Sequence, residues 1–207
     1  MILNNSIKHP SIYCIGRNYK AHIEELGNQL PAEPVVFLKS NAALRGQRGD
    51  LGFADDVFHH EAEVVVKIGI FAPMGSTPGL AAACELALGL DLTRRDQQTK
   101  LKREGLPWTL AKSFKGSAIL GPFIELPSDL RSLEFFLHVH GQLKQAGNTS
   151  LMIFGFAQII DYLCSFQDLV PGDLIFTGTP DGVGPIRVGD PFSLTIPSLG
   201  YDFEGVL

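Results

Sequence analysis

The chain has 207 residues, 45% of them hydrophobic and 19% charged, and a formal net charge of −5. That length and apolar content support a sizeable core and exclude a disordered chain, and lysines and arginines scattered through an acidic sequence argue against nucleic acid as a partner. Cys14, Cys84 and Cys164 are odd in number and unpaired in spacing, so they read as reduced thiols; with no signal peptide in residues 1–10 and no apolar run of membrane-spanning length, a cytoplasmic protein with no membrane contact is expected. From the N-terminus, Ser11-Ile12-Tyr13-Cys14-Ile15 predicts a short strand that ends at Gly16. A two-turn helix over about residues 18–27 follows, with Asn18 able to N-cap it and Gly27 able to end it. On that helix His22 and Glu25 stand three apart and share a face. A carboxylate beside an imidazole fixes its tautomer for base catalysis, although an ordinary surface contact has the same spacing.

Pro31 and Pro34 bound a linker, Val35-Val36-Phe37-Leu38-Lys39 predicts another strand, and residues 40–57 read as a long loop. Next comes His59-His60-Glu61-Ala62-Glu63, running into the β-branched Val64-Val65-Val66. Side chains alternate along a strand, so Glu61 and Glu63 project from one face about 7 Å apart. Asp91 lies at the end of a second apolar run, Leu86-Ala87-Leu88-Gly89-Leu90, where a lone acid needs a partner. Three converging carboxylates suit a hard divalent cation. A solvated sheet face, with Asp91 capping the next helix, fits the same spacing.

Ser76-Thr77-Pro78 predicts a helix start, with Thr77 as N-cap, and a small-faced helix through Ala81-Ala82-Ala83-Cys84. Residues 94–104 are polar and helix-favouring up to Gly105, which puts Arg95 and Gln98 on one face. Lys112 is a lone cation among small and apolar residues, able to lend a fixed charge to a site or to reach solvent. Residues 135–142 read as a strand turning at Gly141; His138 and His140 share one of its faces, and with no carboxylate or Cys at ligand spacing a solvent face fits them better than a second metal site. Ser150 is expected to cap a long apolar helix over residues 151–166. The strand Leu174-Ile175-Phe176 then leads into a Gly-rich turn, Thr177 to Gly184, with no Gly-Lys-Ser/Thr, which excludes a nucleotide P-loop. Threonine hydroxyls and a close backbone suit a small carboxylate there; a plain series of turns fits as well. No repeat or domain boundary interrupts residues 1–207, so one domain is expected.

Taken together, Gly16-Arg17-Asn18-Tyr19, Phe37-Leu38-Lys39, His59-His60-Glu61-x-Glu63, Leu90-Asp91-Leu92-Thr93-x-Arg95-Asp96, Leu106-Pro107-Trp108-x-x-Ala111-Lys112-Ser113-Phe114 and Thr177-Gly178-Thr179-Pro180-x-Gly182-Val183-Gly184-Pro185 occur in this order. The set resembles the fumarylacetoacetate hydrolase family, in particular its short single-domain branch of acylpyruvate hydrolases and oxaloacetate decarboxylases. Ser40 departs from the pattern, since relatives usually carry Pro there. The resemblance implies an α+β fold of mixed β-sheets rolled into a flattened barrel-like body with helices outside, and a homodimer. It implies Mg²⁺ or Mn²⁺ held by Glu61, Glu63 and Asp91, a His22/Glu25 dyad on a lid helix, catalytic Lys112, and substrate contacts from Arg95, Gln98 and Thr179. The activity it implies is cleavage of a C–C bond in a small 2-oxo acid through a pyruvate enolate, with hydrolysis of acylpyruvates first. Decarboxylation of oxaloacetate, isomerisation of a hydroxymuconate-type diacid and metal-dependent binding without turnover stand as alternatives.

Overall fold

The computed structural model describes residues 10–25, 27, 29–45 and 57–207. In chain order the strands are β1 (Ile12–Gly16), β2 (Val35–Lys39), β3 (Val57–His60), β4 (Ala62–Ile68), β5 (Ala83–Asp91), β6 (Ala118–Leu120) and β7 (Ile124–Glu125), then β8 (Glu134–Val139), β9 (Gln142–Asn148), β10 (Leu174–Phe176), β11 (Gly184–Arg187), β12 (Pro191–Ile196) and β13 (Tyr201–Val206). The α-helices are α1 (Lys20–Glu25), α2 (Arg95–Glu104), α3 (Thr109–Lys112) and α4 (Phe156–Cys164).

Among the described residues these strands form three sheets. The largest runs β2-β1-β10-β4-β5-β6, with β7 also on β5; the second runs β13-β12-β8-β9; β3 and β11 form a pair. β1 and β10 are parallel and the other pairings of the large sheet are antiparallel, so it is mixed. Both of its faces are covered. Val64, Val66, Leu86, Leu88 and Leu90 point into a core shared with Phe135 and Leu137 of β8, Leu194 and Ile196 of β12, and Ile159, Ile160 and Leu163 of α4. Val65 points the other way, against Ile12, Cys14, Ala118, Leu174 and Phe176. Burial on two sides explains why β4 and β5 read as nearly continuous apolar runs rather than alternating ones. The Leu88 amide donates to the Tyr201 hydroxyl at 3.1 Å, tying β5 to the second sheet. The arrangement is the expected α+β class.

Four local expectations need correction. Thr77-Pro78 starts only a 3₁₀ turn, Gly79–Ala82, and the Ala/Cys run enters β5 instead. Pairing with β4 and burial override the helix preference of alanine. The helix expected over residues 151–166 is shorter: Asn148 caps a 3₁₀ turn, Thr149–Leu151, through the Ser150 amide, and α4 begins only after Gly155. The intervening backbone is held by Asn18, whose main-chain oxygen accepts from Ile153 N. Asn18 itself is no N-cap, and α1 is correspondingly shorter than residues 18–27: the side chain donates to the carbonyls of Phe154 (3.0 Å) and Thr177 (2.8 Å) and accepts from Phe154 N (2.8 Å). Glu61 lies in the break between β3 and β4 rather than inside a strand. Of the loop expected at residues 40–57, residues 46–56 lie outside the described residues; Asn41–Ala43 forms a 3₁₀ turn and β3 begins at Val57. The hairpin at Gly141 is present, with His140 (φ 52°) and Gly141 (φ 69°) both left-handed, as a tight two-residue turn requires.

Candidate active site

Strand register brings the three acids together. In the β4–β5 ladder Ala62 pairs with Leu90 and Glu63 with Gly89, and the Asp91 amide donates to the Glu61 carbonyl at 2.9 Å. Glu61 and Asp91 are therefore cross-strand neighbours, and Glu63 lies two residues on along the same face. Gly89 clears the space opposite Glu63, because a Cβ there would lie 2.7 Å from the Ile119 carbonyl and 2.9 Å from the Phe176 ring. All three acids are buried, and their carboxylate oxygens lie within 4.8 Å of one another.

Three cations face them. Lys112 Nζ is 2.7 Å from Glu61 Oε2, 2.7 Å from Asp91 Oδ2 and 2.6 Å from Thr93 Oγ1. Lys39 Nζ is 2.7 Å from Asp91 Oδ1 and also donates to the Lys112 carbonyl and to Ser117 Oγ. Arg95 pairs with Glu61 Oε1 and donates to Gln98 Oε1 at 2.7 Å, so the two residues expected on one face of α2 do meet. Burial pushes the Glu61 carboxyl up, but the Lys112 and Arg95 charges outweigh it and hold Glu61 below the usual carboxylate range. Burial would lower Lys112, yet Asp91 and Glu61 raise it, so it keeps its proton. Glu63 is different. It accepts the Gly178 amide at 2.8 Å and has no cation on it among the described residues, and burial followed by Asp91 and Glu61 raises it well above the usual range. Gly178 donates from a left-handed backbone (φ 102°), where a Cβ would also strike the Asn18 side chain at 2.7 Å.

α1 closes one side of this cluster. Its buried His22 has Nδ1 3.4 Å from Glu25 Oε2, and Glu25 Oε1 accepts from the Gly182 amide at 3.2 Å. Burial lowers His22, which outweighs the nearby Glu61 and Glu25 carboxylates, so the ring is neutral at pH 7. Thr179 Oγ1 donates to the Ala62 carbonyl (2.9 Å) and accepts from Gln145 Nε2 (2.8 Å). His22, Glu61, Glu63, Arg95, Lys112 and Thr179 line one cleft of about 30 Å³, and Gln98 also faces it. Neither His138 nor His140, on the β8–β9 hairpin, lines it, and His140 Nε2 contacts Asp190 Oδ1 at 2.9 Å.

Whether these residues fit a metal turns on Glu63. Lys39, Lys112 and Arg95 are engaged with Glu61 and Asp91, whereas Glu63 is buried beside those two acids with the Gly178 amide on it and Lys112 acting on it only at a distance. A divalent cation among the three oxygens corrects that imbalance, and an all-oxygen donor set suits a hard ion. The residues fit.

Residues 11–202 match the fumarylacetoacetate (FAA) hydrolase C-terminal family. The chain belongs to the fumarylacetoacetate hydrolase family. It is 39% identical over 202 residues to a mitochondrial oxaloacetate decarboxylase of Dictyostelium discoideum, covering 93% of this chain and 91% of the relative. It is also 39% identical over 190 residues to the oxaloacetate tautomerase YcgM of Escherichia coli, covering 89% and 87%. A fumarylpyruvate hydrolase of Pseudomonas aeruginosa, solved with Mn²⁺ and pyruvate, superposes with a TM-score of 0.82 at 32% identity over 94% of this chain and 87% of that one.

Within this family member the structure adds three residues that the sequence did not single out for the site. Lys39 ends an apolar strand and stands in the Phe37-Leu38-Lys39 motif, but nothing in the sequence points it at Asp91. Thr93 bridges Lys112 and Glu61 Oε1, the latter at 3.1 Å. Gln145 of β9 accepts from the Ala62 amide and contacts His60 Nδ1, both at 2.9 Å, while donating to Thr179 and to the Pro180 carbonyl. These bonds fix the amide orientation and make His60 the Nδ1–H tautomer.

Proposed function

We propose that the chain is a divalent-cation-dependent enzyme that forms and quenches the enolate of a small 2-oxo acid, with Mg²⁺ or Mn²⁺ held by Glu61, Glu63 and Asp91. The observation that carries this reading is a buried imidazole, His22, held by Glu25 in the same cleft as Glu61 and Glu63, two of the three converging carboxylates. A cation bound by those carboxylates supplies positive charge for the carboxylate and 2-oxo oxygens of such an acid. His22 moves the proton: it removes one from C3 or from a water and returns it, while Glu25 fixes the ring. Lys112 keeps its proton and presents a fixed charge to the oxygen on which electrons accumulate. Arg95 and Gln98 orient the acid, and Thr179 holds the wall of the β10–β11 loop against it.

Oxaloacetate is the first substrate to test, because two relatives are named for its tautomerisation or decarboxylation. Hydrolysis of acylpyruvates is the second, favoured by the His22–Glu25 pair, since a water that attacks a carbonyl needs a base. The deciding experiment follows oxaloacetate, acetylpyruvate and a hydroxymuconate diacid to products by NMR, with Mg²⁺, with Mn²⁺ and with neither. Turnover of at least one, lost on metal removal, is expected. Failure of all of them with both metals overturns the reading.

We also propose that two copies pair in the cytoplasm. An apolar groove of about 680 Å³, with Leu38, Leu106 and Phe166 on its walls and each about half exposed, supports a covering partner. Sedimentation equilibrium at micromolar protein measures this, and a monomer overturns it.

A further inference from the structure

The turn after β10 carries two backbone donors into the site. Gly178 N donates to Glu63 Oε2 at 2.8 Å, and Gly182 N donates to Glu25 Oε1 at 3.2 Å. A side chain of the second sheet holds the segment between them. Gln145 of β9 is buried, and its Nε2 donates to Thr179 Oγ1 at 2.8 Å and to the Pro180 carbonyl at 3.0 Å. Its Oε1 meets His60 Nδ1 and the Ala62 amide, both at 2.9 Å, on either side of Glu61. The side-chain amide thus uses both donors and both acceptor positions. All four bonds go to the two segments that bear the acids and the turn.

β9 is shaped for this reach. Leu137 pairs with Gln145 but His138 pairs with Leu143, so Lys144 is an extra residue on β9. The alternation restarts behind this bulge: Gln142, Leu143 and Lys144 are all exposed, and Gln145 is buried. In a regular strand Leu143 shares the face of Gln145. The bulge also sets the β9 backbone against the turn, because a Cβ on Gly182 (φ 88°) would lie 2.3 Å from the Lys144 carbonyl oxygen. Bulges re-aim side chains, and this one aims an amide at the backbone around the acids.

We infer that Gln145 is a positioning residue: through the turn at residues 178–182 it sets where Glu63 stands relative to the His22–Glu25 pair. Gln145 does not itself line the cleft. Glu63 and Glu25 come from different elements, β4 and α1, and the turn donates to both. Without the Gln145 amide, Thr179 and Pro180 lose their tie to β9, and the acids and the base lose a common reference. A misplacement of about 1 Å between reacting groups costs roughly a hundredfold in rate. The role of Gln145 in turnover rests on the 2-oxo acid reading above, whereas its hold on Glu63 does not.

Gln145→Met keeps the side chain's length and removes its hydrogen bonds. Gln145→Glu keeps the acceptor for Ala62 and His60 and loses the donors to Thr179 and Pro180. Both are compared with wild type well below their melting temperatures, since unpaired buried N–H groups lower stability whatever else Gln145 does. In the metal-free protein, hydrogen exchange at the Gly178 and Gly182 amides is expected to quicken about tenfold or more, with little change in the β12–β13 ladder. Mn²⁺ alone, titrated by electron paramagnetic resonance, is expected to bind weaker by about tenfold or more. With saturating Mg²⁺ and oxaloacetate, kcat is expected to fall about tenfold or more while KM stays within about threefold. Wild-type Mn²⁺ affinity and kcat in a folded Gln145→Met with a lowered melting temperature overturn the role, leaving Gln145 a structural strut. Should Gln145→Met fail to fold, Gln145→Glu decides by the same measures. If the wild type turns over no 2-oxo acid, that reading falls, and amide exchange with Mn²⁺ affinity then decides the role of Gln145.

Discussion

Lys39 shows what a single buried charge does here. Its Nζ holds the second oxygen of Asp91 while its other bonds fix the Lys112 backbone. Lys39→Met leaves a buried carboxylate oxygen without its cation, so the metal-free protein is expected to lose about 3–5 kcal/mol in urea unfolding; an unchanged midpoint contradicts the ion pair. His22 and Lys112 divide the chemistry differently. His22→Ala is expected to slow any step that moves a proton by roughly a hundredfold or more, while oxaloacetate decarboxylation, which needs no attacking water, keeps a larger share. Lys112→Ala removes charge common to every path and lowers all reactions together. Steady-state rates at saturating Mg²⁺ measure both, and equal losses for hydrolysis and decarboxylation in His22→Ala remove its role as a water-activating base. The acids were readable in the sequence as a candidate set from the Glu61-x-Glu63 spacing and the lone Asp91 in an apolar run, and the motif set pointed them to a metal. Lys39 was not, because its partner Asp91 is far along the chain and only the folded sheet brings them together.

At the scale of elements, α1 is six residues long, too short to hold itself in water, and depends on what it docks against. Its attachments near the cluster are the buried His22 and Ile23 and the Glu25 contact with Gly182. We expect amide hydrogen exchange at residues 17–25 to slow when oxalate and Mg²⁺ are added, and equal protection in both states argues against a gating helix. Strands with strong β-branched or apolar runs, such as β4 and β10, were legible with nearly correct ends. The Ala-rich segment and residues 151–155 were not. The first divides between a 3₁₀ turn and the start of β5, whose strand forms because β4 lies beside it, and the second is held by Asn18, more than a hundred residues earlier, which takes its hydrogen bonds. Local propensity contains neither fact.

The whole molecule carries a pH dependence in its buried and half-buried histidines. His22, His59 and His60 are each lowered, in every case first by burial. The unfolded chain binds protons at these rings near pH 6.5 while the folded one does not. Stability from them is therefore full above about pH 6.5 and is lost as pH falls through the depressed folded values. Glu63 in the metal-free protein works in the opposite sense, because its raised carboxyl favours the folded state at low pH and loses that advantage as pH rises. Comparing wild type with His60→Gln isolates one ring: the melting temperature of the variant is expected to fall less between pH 7.5 and 5.5. A parallel fall in the two proteins contradicts a neutral His60.

β10 is the strand on which the large sheet closes, since it pairs with β1 on one side and with β4 on the other. Its three residues, Leu174–Phe176, come more than a hundred positions after β4. A chain leaving the ribosome thus carries two apolar strands with facing edges exposed, and no partner for either, until most of it has been synthesised. Those edges pair with other chains as readily as with β10, so crowding at that stage favours aggregation over folding. The Gly178 amide that reaches Glu63 arrives with the same segment. Nascent chains cut short by stalled translation before residue 174 therefore lack both the sheet and the candidate site, and are substrates for chaperones or proteases rather than partly active protein.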